Sequence, residues 1–302
     1  MGHELVGGQA LVEGVMIRQG NRWAAAARCA DGTIATTLET SVPSLAPIRS
    51  VPLLRGIGAL VDSVRIGLAA MAWSRDRSAS DPARNGAATT GLARGGARER
   101  LVVAGVVGAV VAIFLLAPLG AAALLRPVVG PGLGAALVEG VARLVLFVGY
   151  LAMLSRLPGV RRTLEYHGAE HMVIAAHEHG ERRSIDSARD YSVRHPRCGT
   201  DFFLLIFVLS IVAFALVGHL PAAWLVVSRV ALAPLVVGVA YEVLRAGGTS
   251  GHDHLAHALS APGLALQRFT TRQPSDDQIA VALAALDVLV PVATASRGDG
   301  SR

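Results

Sequence analysis

The sequence predicts a mainly α-helical, polytopic membrane protein with about four transmembrane helices and a small β-meander at its N-terminus. Three observations lead there. The 302 residues are 52% hydrophobic and only 17% charged, against about 25% charged in soluble domains. Mean hydropathy is +0.49. Four apolar runs reach the roughly 20 residues that a bilayer crossing requires, at 101–125, 135–155, 202–220 and 222–244.

Residues 5–42 read as strand. LVEGVMI, RWAAAARCA and TIATTLETSV are short runs separated by RQGN and by Asp31-Gly32, a good hairpin turn. This predicts a meander within an N-terminal unit, 1–50. RGIGALVDSVRIGLAAMAWS then carries helical spacing, so 51–74 is expected to be an amphipathic helix on the membrane surface or against the bundle. Residues 75–100, rich in Ser, Ala, Gly and Arg, read as a disordered linker.

The membrane unit follows over 101–245. Pro118 falls in the first span, which a bundle tolerates. Glu139 and Arg143 fall in the second and Arg229 in the fourth, and charges at that depth face the bundle interior or snorkel. The third run, FFLLIFVLSIVAFALVGHL, is the cleanest. A polar loop over 156–201 separates the two pairs of spans, with a helix expected from Arg161 to Glu178 and a stop at Gly180. The tail, 246–302, holds LSAPGLALQRFTT and a last helix, DDQIAVALAALDVLV, whose acids suit a helix N-terminus.

All 28 basic residues are arginine, and their placement sets the topology. Twelve lie in 1–100, eight in 156–200 and five after 244, whereas the connections at 126–134 and 221 hold only Arg126. The positive-inside rule therefore puts the N-terminus, the middle loop and the C-terminus in the cytoplasm. This accounts for the pI near 10.3; no basic run is interleaved with aromatics, so nucleic-acid binding is not expected. No basic stretch followed by an apolar core opens the chain, so no signal peptide is expected. Cys29 and Cys198 both fall on the cytoplasmic side, where a disulfide is not expected.

The chemistry concentrates in EYHGAEH, 165–171. His167 and His171 sit four apart, share a helix face and can hold one metal ion, with Glu170 beside them. H-x-x-E-H is the reversed zincin pattern, in which the Glu acts as general base towards a metal-bound water. Gly168 costs roughly 1 kcal/mol within a helix, a cost that makes sense where something approaches the backbone. HPRCG adds His195 and Cys198, and YEVLR adds Glu242 at the cytoplasmic end of the fourth span. The metal-ligand candidates are thus His167, His171, His195, Cys198 and Glu242, and Glu170 is the candidate catalytic base. The alternatives are a solvated polar helix for the His pair, a turn with a buried thiol for HPRCG, and a carboxylate paired with Arg245 for Glu242. His252, His254 and His257, with Asp253, form a second cluster whose spacing fits no standard site. Glu13 is a lone acid in an apolar strand, and the glycines before it suggest a tight approach.

GGQALVEGVMIR, LLRGIGALVDS, EYHGAEH, HPRCGT, YEVLR and APGLALQRFTTRQPSDDQIAVALAAL, taken in that order, resemble the YqhQ-like family of bacterial membrane proteins. The resemblance covers nearly the whole chain outside 75–100 and the last ten residues. It implies a multi-pass protein of the bacterial inner membrane and a predicted metal-dependent enzyme with a divalent metal such as zinc. It supports a site built from His167, Glu170, His171, His195 and Cys198 with Glu13 and Glu242, and names no substrate. Asp62 stands where the family commonly has Glu, and Gln273 and Ser275 replace acids before the last helix.

The function expected is a metal-dependent hydrolase at the cytoplasmic membrane face, acting on a lipid, a peptide or a membrane-associated metabolite. The competing expectation is a non-enzymatic scaffold or assembly factor with a structural metal site or polar network. A closed shell of His167, His171, His195 and Cys198 would favour the scaffold, since catalytic zinc keeps a position open. A transporter is the third option, with no internal repeat to support it.

Overall fold

The computed structural model describes residues 6–78, 97–217, 220–249 and 253–291. The predicted meander is a four-stranded antiparallel sheet in the order β1 (Val6–Leu11), β2 (Gly14–Gln19), β3 (Arg22–Arg28), β4 (Ile34–Thr40). One expectation is corrected. LVEGVMI is two strands, because the chain reverses at Val12-Glu13 and pairs Leu11 with Gly14. Glu13 adopts a φ of 51°, a left-handed conformation costing a non-glycine residue roughly 1–2 kcal/mol. Long-range contacts hold it there. Its carboxylate accepts from the Arg162 guanidinium, at 2.6 Å for one of two bonds, and from the Tyr166 hydroxyl at 3.2 Å. No local pattern announces such a turn.

Both faces of the sheet are covered, which is why GVMI and WAAAA are continuous apolar runs without alternation. Val15, Ile17, Ala24 and Ala26 pack with Tyr166, Met172 and Val173 of the helix Pro158–Glu178, and with Ile279, Ala282 and Leu286 of the helix Asp276–Leu289. Leu11, Met16, Trp23 and Ala25 pack on the other side with Ile66 and Ala70 of helix α1, Leu54–Ser78. The result is a helix–sheet–helix sandwich.

The remaining helices are α2 (Ala97–Val129), α3 (Leu133–Leu154), α4 (Pro158–Glu178), α5 (Ile185–Arg189), α6 (Thr200–Val217), α7 (Ala222–Thr249), α8 (Asp253–Thr270) and α9 (Asp276–Leu289). Among the described residues four helices are long and apolar enough to cross a membrane: Leu54–Ser78, Ala104–Val129, Leu133–Leu154 and Ala223–Ala246. The number matches the expectation but the membership does not. The apolar stretch described in α6, Phe202–Val217, is shorter than the other four. Helix α1 qualifies by length, yet its buried face packs on the sheet, and its first turns meet the end of α7 where Gly56 faces Tyr241 and Gly238 faces the Leu53 carbonyl. Helices α1 and α2 take in both ends of the linker expected over 75–100; its centre, 79–96, lies outside the described residues.

The three charges expected inside the spans meet one another. Glu139 accepts from Arg143 at 2.8 Å and from Arg229 at 3.1 and 2.5 Å, and both guanidinium groups lie over the Phe214 ring. They therefore face the bundle interior.

Candidate metal centre

Helix α4 begins with Pro158 at its first turn and stops at Gly180, which has a φ of 73°. Both signals suit those positions: Pro has no N–H to lose there, and Gly takes the left-handed conformation without strain. The helix places His167 and His171 one turn apart, with ring centroids 4.3 Å from each other. Each imidazole is oriented by a backbone carbonyl. The Nδ1–H of His167 donates to Thr270 O at 2.7 Å, and that of His171 to Val193 O at 2.7 Å. A carbonyl only accepts, so both Nδ1 atoms carry the proton, and in the neutral rings Nε2 is the nitrogen with the lone pair. This is how ligating histidines are held ready. Burial, the largest influence on His171, lowers its pKa and favours the neutral, ligating form.

Gly168 does what its cost suggested. A Cβ there would lie 2.0 Å from the Arg272 carbonyl oxygen. The segment after α8 crosses α4 at this glycine, bonds from Arg272 N to Leu164 O at 3.0 Å, and so brings the Thr270 carbonyl to His167.

Cys198 enters from the HPRC turn, closed by Cys198 N–H to His195 O at 3.3 Å. Its Sγ lies 3.5 Å from His167 Nε2, and the ligand atoms of His167, His171 and Cys198 all lie within 4.8 Å of one another. With Zn–N of about 2.05 Å and Zn–S of about 2.3 Å, a tetrahedral angle separates nitrogen and sulfur by roughly 3.5 Å. The Cys198–His167 pair has that spacing, and the three side chains offer donor types that could hold a zinc-type ion.

His195 and Glu242 do not join it. The His195 Nε2 contacts Glu178, at the end of α4, at 3.2 Å and its Nδ1 accepts from Arg197 N–H at 3.2 Å, so both ring nitrogens have partners outside the cluster. Glu178 also pairs with Arg197. Burial raises the Glu178 pKa, but the bonds from His195 and Arg197 outweigh it and hold the carboxyl below its ordinary range. Glu242 is held by the Arg55 guanidinium and accepts from Leu53 N–H at 3.0 Å. Its partner is Arg55, on an element that sequence spacing could not bring to it. The histidine cluster of 252–257 lies outside the described residues except for the backbone of α8.

Glu170 is buried, on the side of α4 that faces the sheet. Its Oε1 would be 2.7 Å from a Cβ on Gly8, and its Oε2 has no hydrogen-bond partner. Thus Gly8 of GGQALVEG makes room for Glu170, whereas nothing lies within 4 Å of a Cβ on Gly7, and Glu13 binds Arg162. Burial pushes the Glu170 carboxyl up to about 7, and the charge of His167 lowers it by less.

Gln267 was not anticipated. Fully buried, it accepts from His195 N–H and donates to His195 O, both at 2.9 Å. This two-way clamp fixes the turn that presents Cys198. Its only sequence signal is one amide in the apolar run LALQRF.

The family described as "Protein of unknown function (DUF1385)" matches residues 51–292. The chain belongs to that family. "Uncharacterized protein YqhQ" of Bacillus subtilis (strain 168) is 32% identical over 294 residues, covering 94% of this chain and 92% of the relative. The resemblance read from the six motifs is thereby borne out. No solved structure matches.

Proposed function

We propose that this DUF1385 protein is a membrane-bound, metal-dependent hydrolase. His167, His171 and Cys198 hold a zinc-type ion, and Glu170 serves as proton acceptor. The observation that carries the reading is the convergence of two Nε2 atoms and one Sγ within 4.8 Å, with both Nδ1 atoms already committed to backbone carbonyls. Three protein ligands are the number found in catalytic zinc sites, whereas structural sites are saturated with four. His195, the obvious fourth, is occupied by Glu178. When bound, the ion supplies a Lewis acid that lowers the pKa of water at its open position.

The protein's own part is to orient both imidazoles through backbone carbonyls, to fix Cys198 through the Gln267 clamp, and to keep an unpartnered carboxylate oxygen of Glu170 one residue from a ligand. The substrate we infer is a lipid, peptide or other membrane-associated molecule, met at the cytoplasmic face of the bacterial inner membrane. A second reading, a non-enzymatic scaffold with a structural metal, is favoured by one observation: Glu170 rests against Gly8 on the sheet side of α4.

Elemental analysis of protein purified in detergent with added zinc tests the centre. His171→Ala is expected to lose the metal and Glu170→Gln to keep it. X-ray absorption should then report three protein ligands and one additional oxygen. A wild-type protein without metal sinks both readings, and a fourth protein ligand leaves only the scaffold.

A further inference from the structure

The ionic group inside the spans carries more positive charge than its carboxylate can match. Glu139 is one acid facing two guanidinium groups, Arg143 and Arg229. Over the apolar stretches Ala104–Val129, Leu133–Leu154, Phe202–Val217 and Ala223–Ala246 the sequence holds one other acid, Glu242, which sits near the end of α7 and binds Arg55. Arg229 is satisfied. Its Nε and one terminal nitrogen bond Glu139, and the other terminal nitrogen donates to Ser228 Oγ at 3.0 Å. Arg143 spends one terminal nitrogen on Glu139, and among the described residues its remaining N–H groups meet no other acceptor. The Phe214 face attracts both cations but carries no net charge. Arg143 sits about 15 Å from either end of α3, at 1.5 Å per residue. An unmatched cation at that depth is expensive, and such residues mark substrate or ion sites.

Space to receive an anion adjoins these cations. Arg143 and Arg229 line a cavity of about 410 Å3 between α2, α3, α6 and α7, a volume within the roughly 300–1,000 Å3 of ligand pockets. Apart from Ser210, whose hydroxyl donates to carbonyls of its own helix, the other walls are apolar, with Phe114, Phe207 and Val236 among them. Val111 and Val230 also line it and are 58% and 63% exposed, so the cavity opens sideways from the bundle, where acyl chains lie. A small inorganic anion would match the charge and leave the apolar walls empty. A phospholipid headgroup belongs to the interfacial region, outside the hydrocarbon depth of Arg143. One acyl chain ending in a carboxylate matches both features: a guanidinium fork takes the carboxylate, and the methylenes cover the apolar walls. We propose that this cavity binds a long-chain fatty acid, with its carboxylate held at Arg143. The site does not depend on the metal centre.

The test uses the full chain, stripped of lipid in a nonionic detergent, with adducts counted by native mass spectrometry. Palmitate is compared with hexadecanol, which has the chain without the charge, and with butyrate, which has the charge without the chain. We expect palmitate to bind as a single adduct and both controls to bind roughly tenfold more weakly or worse, the loss of one charged hydrogen bond or of the chain contacts. Arg143→Gln should weaken palmitate binding by roughly tenfold, while Glu139 keeps its bonds to Arg229. Ala233→Phe, at an exposed position of the cavity wall, should block the chain and weaken binding as much. Val145→Phe, exposed and outside the cavity, should leave it unchanged. Equal binding of palmitate and hexadecanol by the wild-type protein overturns the proposal, and that comparison stands whether or not a variant folds. Displacement of palmitate by an equal concentration of phosphatidylglycerol also overturns it, as does palmitate binding unchanged in folded Arg143→Gln and Ala233→Phe proteins.

Discussion

Gly168→Ala sets two effects of opposite sign against each other. Alanine is the better helix former, by roughly 1 kcal/mol, so propensity alone predicts a more stable protein. The structure predicts the reverse. A Cβ at 168 would lie 2.0 Å from the Arg272 oxygen, and ordinary contact begins at 3.4 Å. The crossing segment must therefore retreat by about 1.4 Å, the difference between those two distances. That retreat strains the Arg272 N–H bond to Leu164 O and carries the Thr270 carbonyl away from His167 Nδ1. Forcing atoms into a packed site costs about 1–3 kcal/mol, which cancels or exceeds the propensity gain. Losing the partner that orients a ligating imidazole weakens metal binding about 10- to 100-fold. Metal titration and thermal unfolding of the same preparation measure both. Gly149→Ala, where nothing lies within 4 Å of the added carbon, isolates propensity. A Gly168→Ala protein that binds metal like the wild type and is stabilised like Gly149→Ala would refute the reasoning.

Other expectations follow from the same geometry. Removing metal with a chelator should expose Cys198 to alkylation, and restoring zinc should protect it, as followed by peptide mass spectrometry; Cys29, outside the cluster, should react alike in both states. Glu139→Gln leaves Arg143 and Arg229 buried without their carboxylate, at a cost of about 3–5 kcal/mol, visible as a lower denaturant midpoint in micelles. Gly8→Ala places a carbon 2.7 Å from both Glu170 Oε1 and Met16 O, so it should lower the melting temperature in the wild type and by less in Glu170→Ala. The depressed pKa of Glu178 adds stability at pH values above the ordinary carboxylate range, which is lost as acid protonates the native group. Acid titration of Glu178→Gln should therefore show a shallower loss of stability than the wild type.

Much of the centre was legible in the chain because its key relation is local. His167 and His171 lie four residues apart, and a helix turns that spacing into a shared face whatever the rest of the fold does. Gly168 announced a close approach, since a helix-interior glycine has a cost that packing must offset. Cys198 was legible by residue type alone. That it lies beside His167 while His195, three residues away, pairs elsewhere depends on Glu178 and Gln267, which lie 17 and 72 residues from His195. Glu242 was misplaced for the same reason: its position at a span end was right, but its partner, Arg55, lies 187 residues away.

Apolar length and the helical spacing of EYHGAEH are properties of consecutive residues, and they sufficed for helices long and apolar enough to cross a membrane and for two histidines on one helix face. The split of LVEGVMI into two strands, the pairing of His195 with Glu178 and the meeting of Glu139 with Arg229 were decided only by tertiary structure. Each rests on an ion pair or amide clamp between distant segments. Such partners are brought together by burial of the intervening helices, and no spacing along the chain encodes which carboxylate a guanidinium or imidazole will meet.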